Sequence, residues 1–352
     1  MSFTLLPEWS PQDAVMVTWP HKNTDWADIL EQVEPVYIAL CQQISQVQKV
    51  VIVAHDEALK DHISTLLIDA SVDMQQIVFV DAPCNDTWAR DHGPLTTANT
   101  SGELSIKDFI FNGWGNKYES DLDTQINAAL CQQIADEHNQ VQQVNLVLEG
   151  GGVEINEHKV LLTTSECLLN PNRNPHLNKQ QVEAELTKEL GATSFLWVDH
   201  GYLAGDDTDS HIDTLVRFAP NETLVYVQCD DEKDEHYQAL NAMESQLKKF
   251  VTPSGEPYNL VPLPWPSAKY NHENERLPAT YANYLIINDT VLLPIYGDEK
   301  DALAMTQLQK AHPERTIIGI DCLPIIHQFG SLHCITMQLP QGFLSRNPNE
   351  QQ

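Results

Sequence analysis

Short runs of aliphatic and β-branched residues recur at 50–54, 77–80, 106–111, 144–148, 160–163, 195–198, 214–218, 224–227, 284–287, 291–293, 317–320 and 335–338. Their length and residue types suit strands, where branched side chains pack well on a pleated surface. Between them, apolar positions return at helical spacing over roughly 34–48, 57–69, 124–137, 178–190, 233–250 and 300–311. Asn178 and Gln181 have the spacing of a capping box, and Gly191 is placed to end the same helix.

Two or three strands accompany each helix, and the unit repeats about five times. A Rossmann succession differs, because there each strand is followed by its own helix. The cadence predicts an α/β fold built from repeated ββαβ modules. No Gly/Ser-rich linker, charge block or low-complexity tract interrupts residues 1–352, and the proline-rich stretch 262–266 is too short for a hinge. One domain over 1–352 is expected, with internal pseudo-symmetry.

Composition narrows the class. With 42% hydrophobic residues the chain can bury a substantial core. Lys plus Arg number 20 against 50 for Asp plus Glu, a formal net charge of -30, which repels phosphate backbones and anionic membranes. Neither nucleic acid nor membrane is therefore expected as a partner. The same field gathers small cations, although a solvated acidic surface that maintains solubility is the commoner reason for such a charge, which permits a cationic substrate without demonstrating one. The N-terminal residues carry no basic leader and no later stretch nears the ~20 apolar residues of a membrane span, so a cytoplasmic protein is expected. Seven cysteines without a C-x-x-C pair argue against a disulfide framework and a structural zinc site.

Four segments carry reactive side chains at or beyond strand ends. Trp88-Ala89-Arg90-Asp91-His92-Gly93-Pro94 has the marks of a fixed turn, although Asp91 paired only with its neighbour Arg90 would look the same. Leu148-Glu149-Gly150-Gly151-Gly152 runs a strand into a carboxylate and three glycines without dinucleotide spacing; glycines let backbone approach a ligand closely. In Asp206-Asp207-Thr208-Asp209-Ser210-His211-Ile212-Asp213, extended backbone would put His211 and Asp213 on one face. Gly330-Ser331-Leu332-His333-Cys334 delivers a cysteine at the start of a late strand; alone, such a thiol is most often core packing.

Together these supply one thiol, one imidazole and three carboxylates. A Cys–His pair performs nucleophilic catalysis, but acids oppose the oxyanion of acyl transfer. They suit a delocalised cation instead, since a guanidinium presents forked N–H donors to paired carboxylates. A metal-dependent hydrolase on the Asp206 segment is the rival reading. The EF-hand glycine and terminal glutamate are missing and no second histidine clusters there, so no metal and no organic cofactor is expected.

These motifs resemble the guanidino-group-modifying superfamily and, within it, agmatine deiminases and bacterial-type peptidylarginine deiminases. The likeness runs from Trp19-Pro20 through the four segments, and includes Phe111-Asn112-Gly113-Trp114-Gly115 and Asn170-Pro171-Asn172-Arg173-Asn174-Pro175. The resemblance implies a five-bladed pseudo-symmetric α/β propeller and deimination of a small cationic guanidinium substrate, with agmatine preferred over arginine or peptidylarginine. It implies Cys334 as nucleophile, His211 as acid then base, Asp91 and Asp213 gripping the guanidinium, and Glu149 orienting substrate and His211. Trp88 and Trp114 are candidates to stack on substrate, Arg90 and Arg173 the only suspects for a substrate carboxylate. A homo-oligomer stays open. The cysteine loop, Gln328-Phe329-Gly330-Ser331-Leu332-His333-Cys334, has fewer glycines than agmatine deiminases usually show. From another class, a non-catalytic polyamine-binding protein with Cys334 structural is the alternative.

Overall fold

The hairpin Val216–Ala219 with Thr223–Gln228 is antiparallel, and the chain then crosses helix Tyr237–Leu247 to add Asn259–Pro264 parallel to it. This ββαβ unit recurs. Leu285–Ile286, Thr290–Ile295, helix Asp301–Ala311 and Thr316–Asp321 repeat it, as do Val153–Ile155, Val160–Thr164, helix Lys179–Leu190 and Ser194–Val198. Leu95–Ala98, Leu104–Ile110, helix Ile126–Ile134 and Gln140–Val147 form another, with Thr4–Leu5 on its edge.

The remaining sheet joins the two ends of the chain. Its order is Thr336–Pro340, Gln12–Thr18, Lys49–Ala54, Ile77–Asp81, with the first pair antiparallel and the other three strands mutually parallel. Helices Leu30–Ile44 and Glu57–Asp69 make the crossovers. The computed structural model describes residues 2–345, a mixed α/β fold; Met1 and 346–352 of the expected domain lie outside the described residues.

Local chemistry sets several helix boundaries. Asp56 caps Glu57–Asp69 by accepting from the Leu59 N–H. The capping box of Lys179–Leu190 forms in both directions, and Gly191 closes it at φ 70°, where a side chain is disfavoured. Four strands of three or more residues escaped the sequence pattern: Gln12–Thr18, Leu95–Ala98, Val153–Ile155 and Asn259–Pro264. The first opens on two polar residues, and the next two are short. The last contains Pro262 and Pro264, tolerated because the strand lies at the edge of its sheet.

The two faces of the end-joining sheet serve different cores. Val15, Val17, Trp19, Val50, Ile52 and Ala54 enter one buried cluster, whereas Ala14, Met16, Val51 and Val53 enter another. Burial on both faces is why these parallel strands read as continuous apolar runs. All seven cysteines are unbridged, six buried and Cys131 partly exposed. Among the described residues no helix is long and apolar enough to cross a membrane.

Candidate active site

Asp91 lies in the single helical turn Ala89–His92. That turn ends at Gly93, where an added Cβ would lie 2.3 Å from the Ala89 carbonyl oxygen. The neighbouring Arg90 N–H donates to the Cys334 carbonyl at 3.1 Å, tying the turn to the cysteine segment. The Gly151 N–H and the Trp114 indole N–H each donate to Asp91 at 3.0 Å, and His211 Nδ1 stands 3.6 Å from its carboxylate. Trp114 has φ 54°, a left-handed conformation unusual for a large residue, held while its indole orients Asp91.

The segment around His211 is not extended as expected. Ile212–Thr214 forms a 3-10 turn and the strand begins only at Val216. Turn geometry, not strand alternation, therefore brings His211 and Asp213 to one side. Gly151 marks where they meet: a Cβ there would lie 2.6 Å from His211 Nδ1, 2.8 Å from Asp91 Oδ1 and 3.2 Å from Asp213 Oδ2. Three side chains from two segments converge over one hydrogen atom. Neither ring nitrogen of His211, nor Asp213 Oδ1, has a protein hydrogen-bond partner, although all are buried.

Cys334 follows the 3-10 turn Ile325–Gln328 and precedes strand Thr336–Pro340. Its thiol and its backbone N–H both donate to Asn283 Oδ1, at 3.4 and 3.3 Å. With Asp91, Trp88 and Trp114 it lines a pocket of ≈ 610 Å³ of open space that also has Asp25, Asp86 and Asp207 on its walls. Gln328, Phe329 and Gly330 line it too, beside Tyr118 and Thr208, so the glycine-poor cysteine loop forms part of its wall. Trp88 donates to Asp86 at 2.8 Å and packs against Trp26 and Trp114.

Behind these groups run two buried ion networks. Both oxygens of Glu149 accept from Arg173 Nε, at 3.0 and 2.9 Å, while Arg173 Nη1 reaches Asp209 at 2.6 Å. Glu149, Cys167 and His211 have donor atoms within 4.8 Å of one another, but an arginine clamped across the carboxylate opposes a metal ion there. In the second network, Asp213 Oδ2 contacts His333 Nδ1 at 2.7 Å, and His333 Nε2 contacts Glu8 at 2.8 Å. Arg217 and Arg90 pair with Glu8 at 2.6 and 3.3 Å. Arg90 and Arg173 are thus engaged with acids in the interior, contrary to their suspected role toward a substrate carboxylate. Glu8, Asn283 and the role of His333 gave no signal in the sequence beyond the adjacency of His333 to Cys334.

Crowding acids away from water sets the electrostatics. Burial, then Glu149, pushes Asp91 up to about 7. Burial and Asp91 push Asp213 well above the usual carboxylate range. Burial and Arg173 hold the His211 imidazole well below its ordinary value, hence neutral. Burial, with Asp213 and Asp91, raises the Cys334 thiol well above its ordinary value. A cation between the acids reverses each of these penalties on the anionic forms.

A family model described as Porphyromonas-type peptidyl-arginine deiminase matches residues 4–340. The chain belongs to that family. A solved structure named "Putative Arginine Deiminase" from Porphyromonas gingivalis is 44% identical, with a TM-score of 0.90, covering 97% of this chain and 100% of that one. The C. jejuni agmatine deiminase, in a cysteine-to-serine form with substrate bound, is 37% identical at a TM-score of 0.88, with 97% of each chain covered. A Shewanella sp. (strain MR-7) protein named "Putative agmatine deiminase" is 32% identical over 377 residues, 97% of this chain and 95% of that protein. Membership makes this deiminase-family protein a hydrolase of the agmatine and peptidylarginine deiminase type.

Proposed function

We propose that the protein hydrolyses agmatine to N-carbamoylputrescine and ammonia through a thiouronium intermediate on Cys334. The observation that carries this reading is the pocket lining: Cys334 and Asp91 on the inside, Asp25, Asp86 and Asp207 further out, and no lysine or arginine among the lining residues. Free arginine needs a cation for its carboxylate. Agmatine carries a second positive charge instead, which the outer acids suit. The substrate-bound C. jejuni agmatine deiminase, alike over nearly the whole chain, supports the same assignment.

In this mechanism Asp91 and Asp213 accept the guanidinium N–H groups and hold its carbon above the sulfur. Substrate charge lowers the thiol pKa, and the proton passes to neutral His211 as the thiolate attacks. His211 returns a proton to the departing nitrogen, releasing ammonia and leaving a thiouronium cation. It next takes a proton from water, which attacks the same carbon; collapse expels the sulfur, the ureido product and, overall, one proton. Glu149 orients His211 and the substrate, and Trp88 and Trp114 flank the alkyl chain. No cofactor takes part.

In the same reading the residues form one catalytic domain, a five-bladed pseudo-symmetric α/β propeller with the pocket on its axis. Five ββαβ repeats and the pairing of Thr336–Pro340 with Gln12–Thr18 support it. Ammonia release from agmatine, arginine and a blocked arginine peptide, assayed side by side, tests the substrate. Cys334→Ala is expected to abolish turnover while calorimetric binding of agmatine persists. Retained turnover in that variant defeats the mechanism, and preference for the peptide defeats the agmatine assignment.

A further inference from the structure

A second group of soft and nitrogen donors lies outside the pocket. His21 follows strand Gln12–Thr18, His55 directly follows Lys49–Ala54, and Cys84 follows Ile77–Asp81. These three strands are adjacent and parallel, with the His55 strand in the middle. Their carboxyl ends therefore open on one edge of the sheet, the edge where parallel α/β sheets bind ligands. The three donor atoms lie within 4.8 Å of one another.

The spacing is that of a coordination shell. Zinc bonds of about 2.0–2.1 Å to nitrogen and about 2.3 Å to sulfur, at the tetrahedral angle, give nitrogen–sulfur edges of about 3.5 Å. His21 Nε2 stands 3.5 Å from Cys84 Sγ, and His55 Nδ1 stands 3.9 Å from it. The imidazoles lie against each other at a tilt, centroids 4.0 Å apart. Cys84 is buried behind them, while both rings also border a cavity with Glu34, Asp56 and His62 on its walls.

We propose that His21, His55 and Cys84 bind a divalent ion of the zinc class, leaving a fourth position toward the cavity. A thiolate with two imidazoles selects zinc-class ions over magnesium or calcium, which take oxygen ligands. Cys84 loses its proton to solvent as the sulfur–metal bond forms. A coordinate bond at His55 Nδ1 replaces the hydrogen bond it accepts from Cys84 N–H at 3.1 Å, while His21 coordinates through Nε2 with its proton moved to Nδ1, which gives up the hydrogen bond from Asn23 N–H at 3.3 Å. Cys84 also opens the segment that carries Asp86 and Trp88, both on the pocket wall, so the ion staples three strand ends beneath one side of the substrate pocket.

Cobalt(II) titrated into chelator-treated, metal-depleted full-length protein reads the site directly. One equivalent is expected to give a thiolate-to-cobalt charge-transfer band with tetrahedral d–d bands, and zinc is expected to displace it and raise the melting temperature. Cys84→Ser is expected to remove the charge-transfer band. His55→Gln, at a half-buried position, is expected to weaken cobalt binding at least tenfold with an unchanged circular dichroism spectrum. Cys167→Ser is expected to keep the band, separating this site from the Glu149–Cys167–His211 group. Absence of a charge-transfer band in the parent protein, or its persistence in Cys84→Ser or at full affinity in His55→Gln, overturns the proposal.

Discussion

Replacing Gly151 by alanine probes the convergence on which the catalytic reading depends. Its φ is not in the left-handed region, so the backbone itself accepts a side chain. The new methyl instead meets three side-chain tips, at 2.6 Å for His211, 2.8 Å for Asp91 and 3.2 Å for Asp213. His211 and Asp213 are 1% exposed and Asp91 3%, so none can simply swing into solvent. Overpacking of this kind costs about 1–3 kcal/mol of stability. Displacing reacting groups by ~1 Å costs on the order of a hundredfold in rate, equivalent to about 2.7 kcal/mol of transition-state stabilisation. Steady-state ammonia release beside a urea melt separates the two effects. The flanking glycines are controls. Gly150→Ala puts its methyl 2.2 Å from the Arg90 carbonyl oxygen and is expected to fail in folding, whereas Gly152→Ala meets Cys167 Sγ at 3.2 Å and is expected to be milder. A folded Gly151→Ala enzyme with kcat/KM within threefold of the parent refutes the reasoning.

The pH profile follows from Asp91, raised from 3.8 to about 7, because only its ionised form grips a cation. Agmatine kcat/KM is expected to fall about tenfold per unit below pH 7, and a profile flat from pH 5.5 to 8 contradicts it. The same raised carboxyl contributes stability that is fully present below its unfolded pKa and lost as pH rises through about 7, a change of about 4 kcal/mol. Between pH 6.5 and 8.5, above the range in which depressed histidines such as His211 act in the opposite sense, ligand-free protein is therefore expected to lose melting temperature, with agmatine bound to Cys334→Ala narrowing the loss in a thermal-shift series. Arg173→Met leaves Glu149 buried without its partner, and urea unfolding is expected to report a loss of about 3–5 kcal/mol; a loss below ~1 kcal/mol argues against the pair. Glu8→Gln removes the acid that holds His333 against Asp213 and is expected to lower kcat/KM about tenfold with little change in agmatine binding to the Cys334→Ala background.

Local patterns were legible where local physics decides. Helix Glu57–Asp69 lies on the residues that its periodicity marks out, because Asp56 caps it and its apolar positions face the core. Lys179–Leu190 is bracketed by its capping box and Gly191, all within the segment. The reactive motifs were likewise visible as unusual residue groupings, and Cys334, Asp91, Trp88 and Trp114 do line one pocket, with His211 and Asp213 gathered against Asp91.

Tertiary structure decided what depends on contacts remote in sequence. Strand Gln12–Thr18 exists because Thr336–Pro340 and Lys49–Ala54 pair with it, and Asn259–Pro264 because an edge position excuses its prolines. His211 and Asp213 share a side through a turn rather than a strand, and Trp114 orients Asp91 through a hydrogen bond its sequence neighbours do not disclose. Glu8 reaches His333 across 325 positions, and Arg173 is committed to Glu149. Periodicity and capping report only what a segment does within a few residues of itself. Burial, which fixes the partners and the charge states of these groups, arises only when the sheets close on one another.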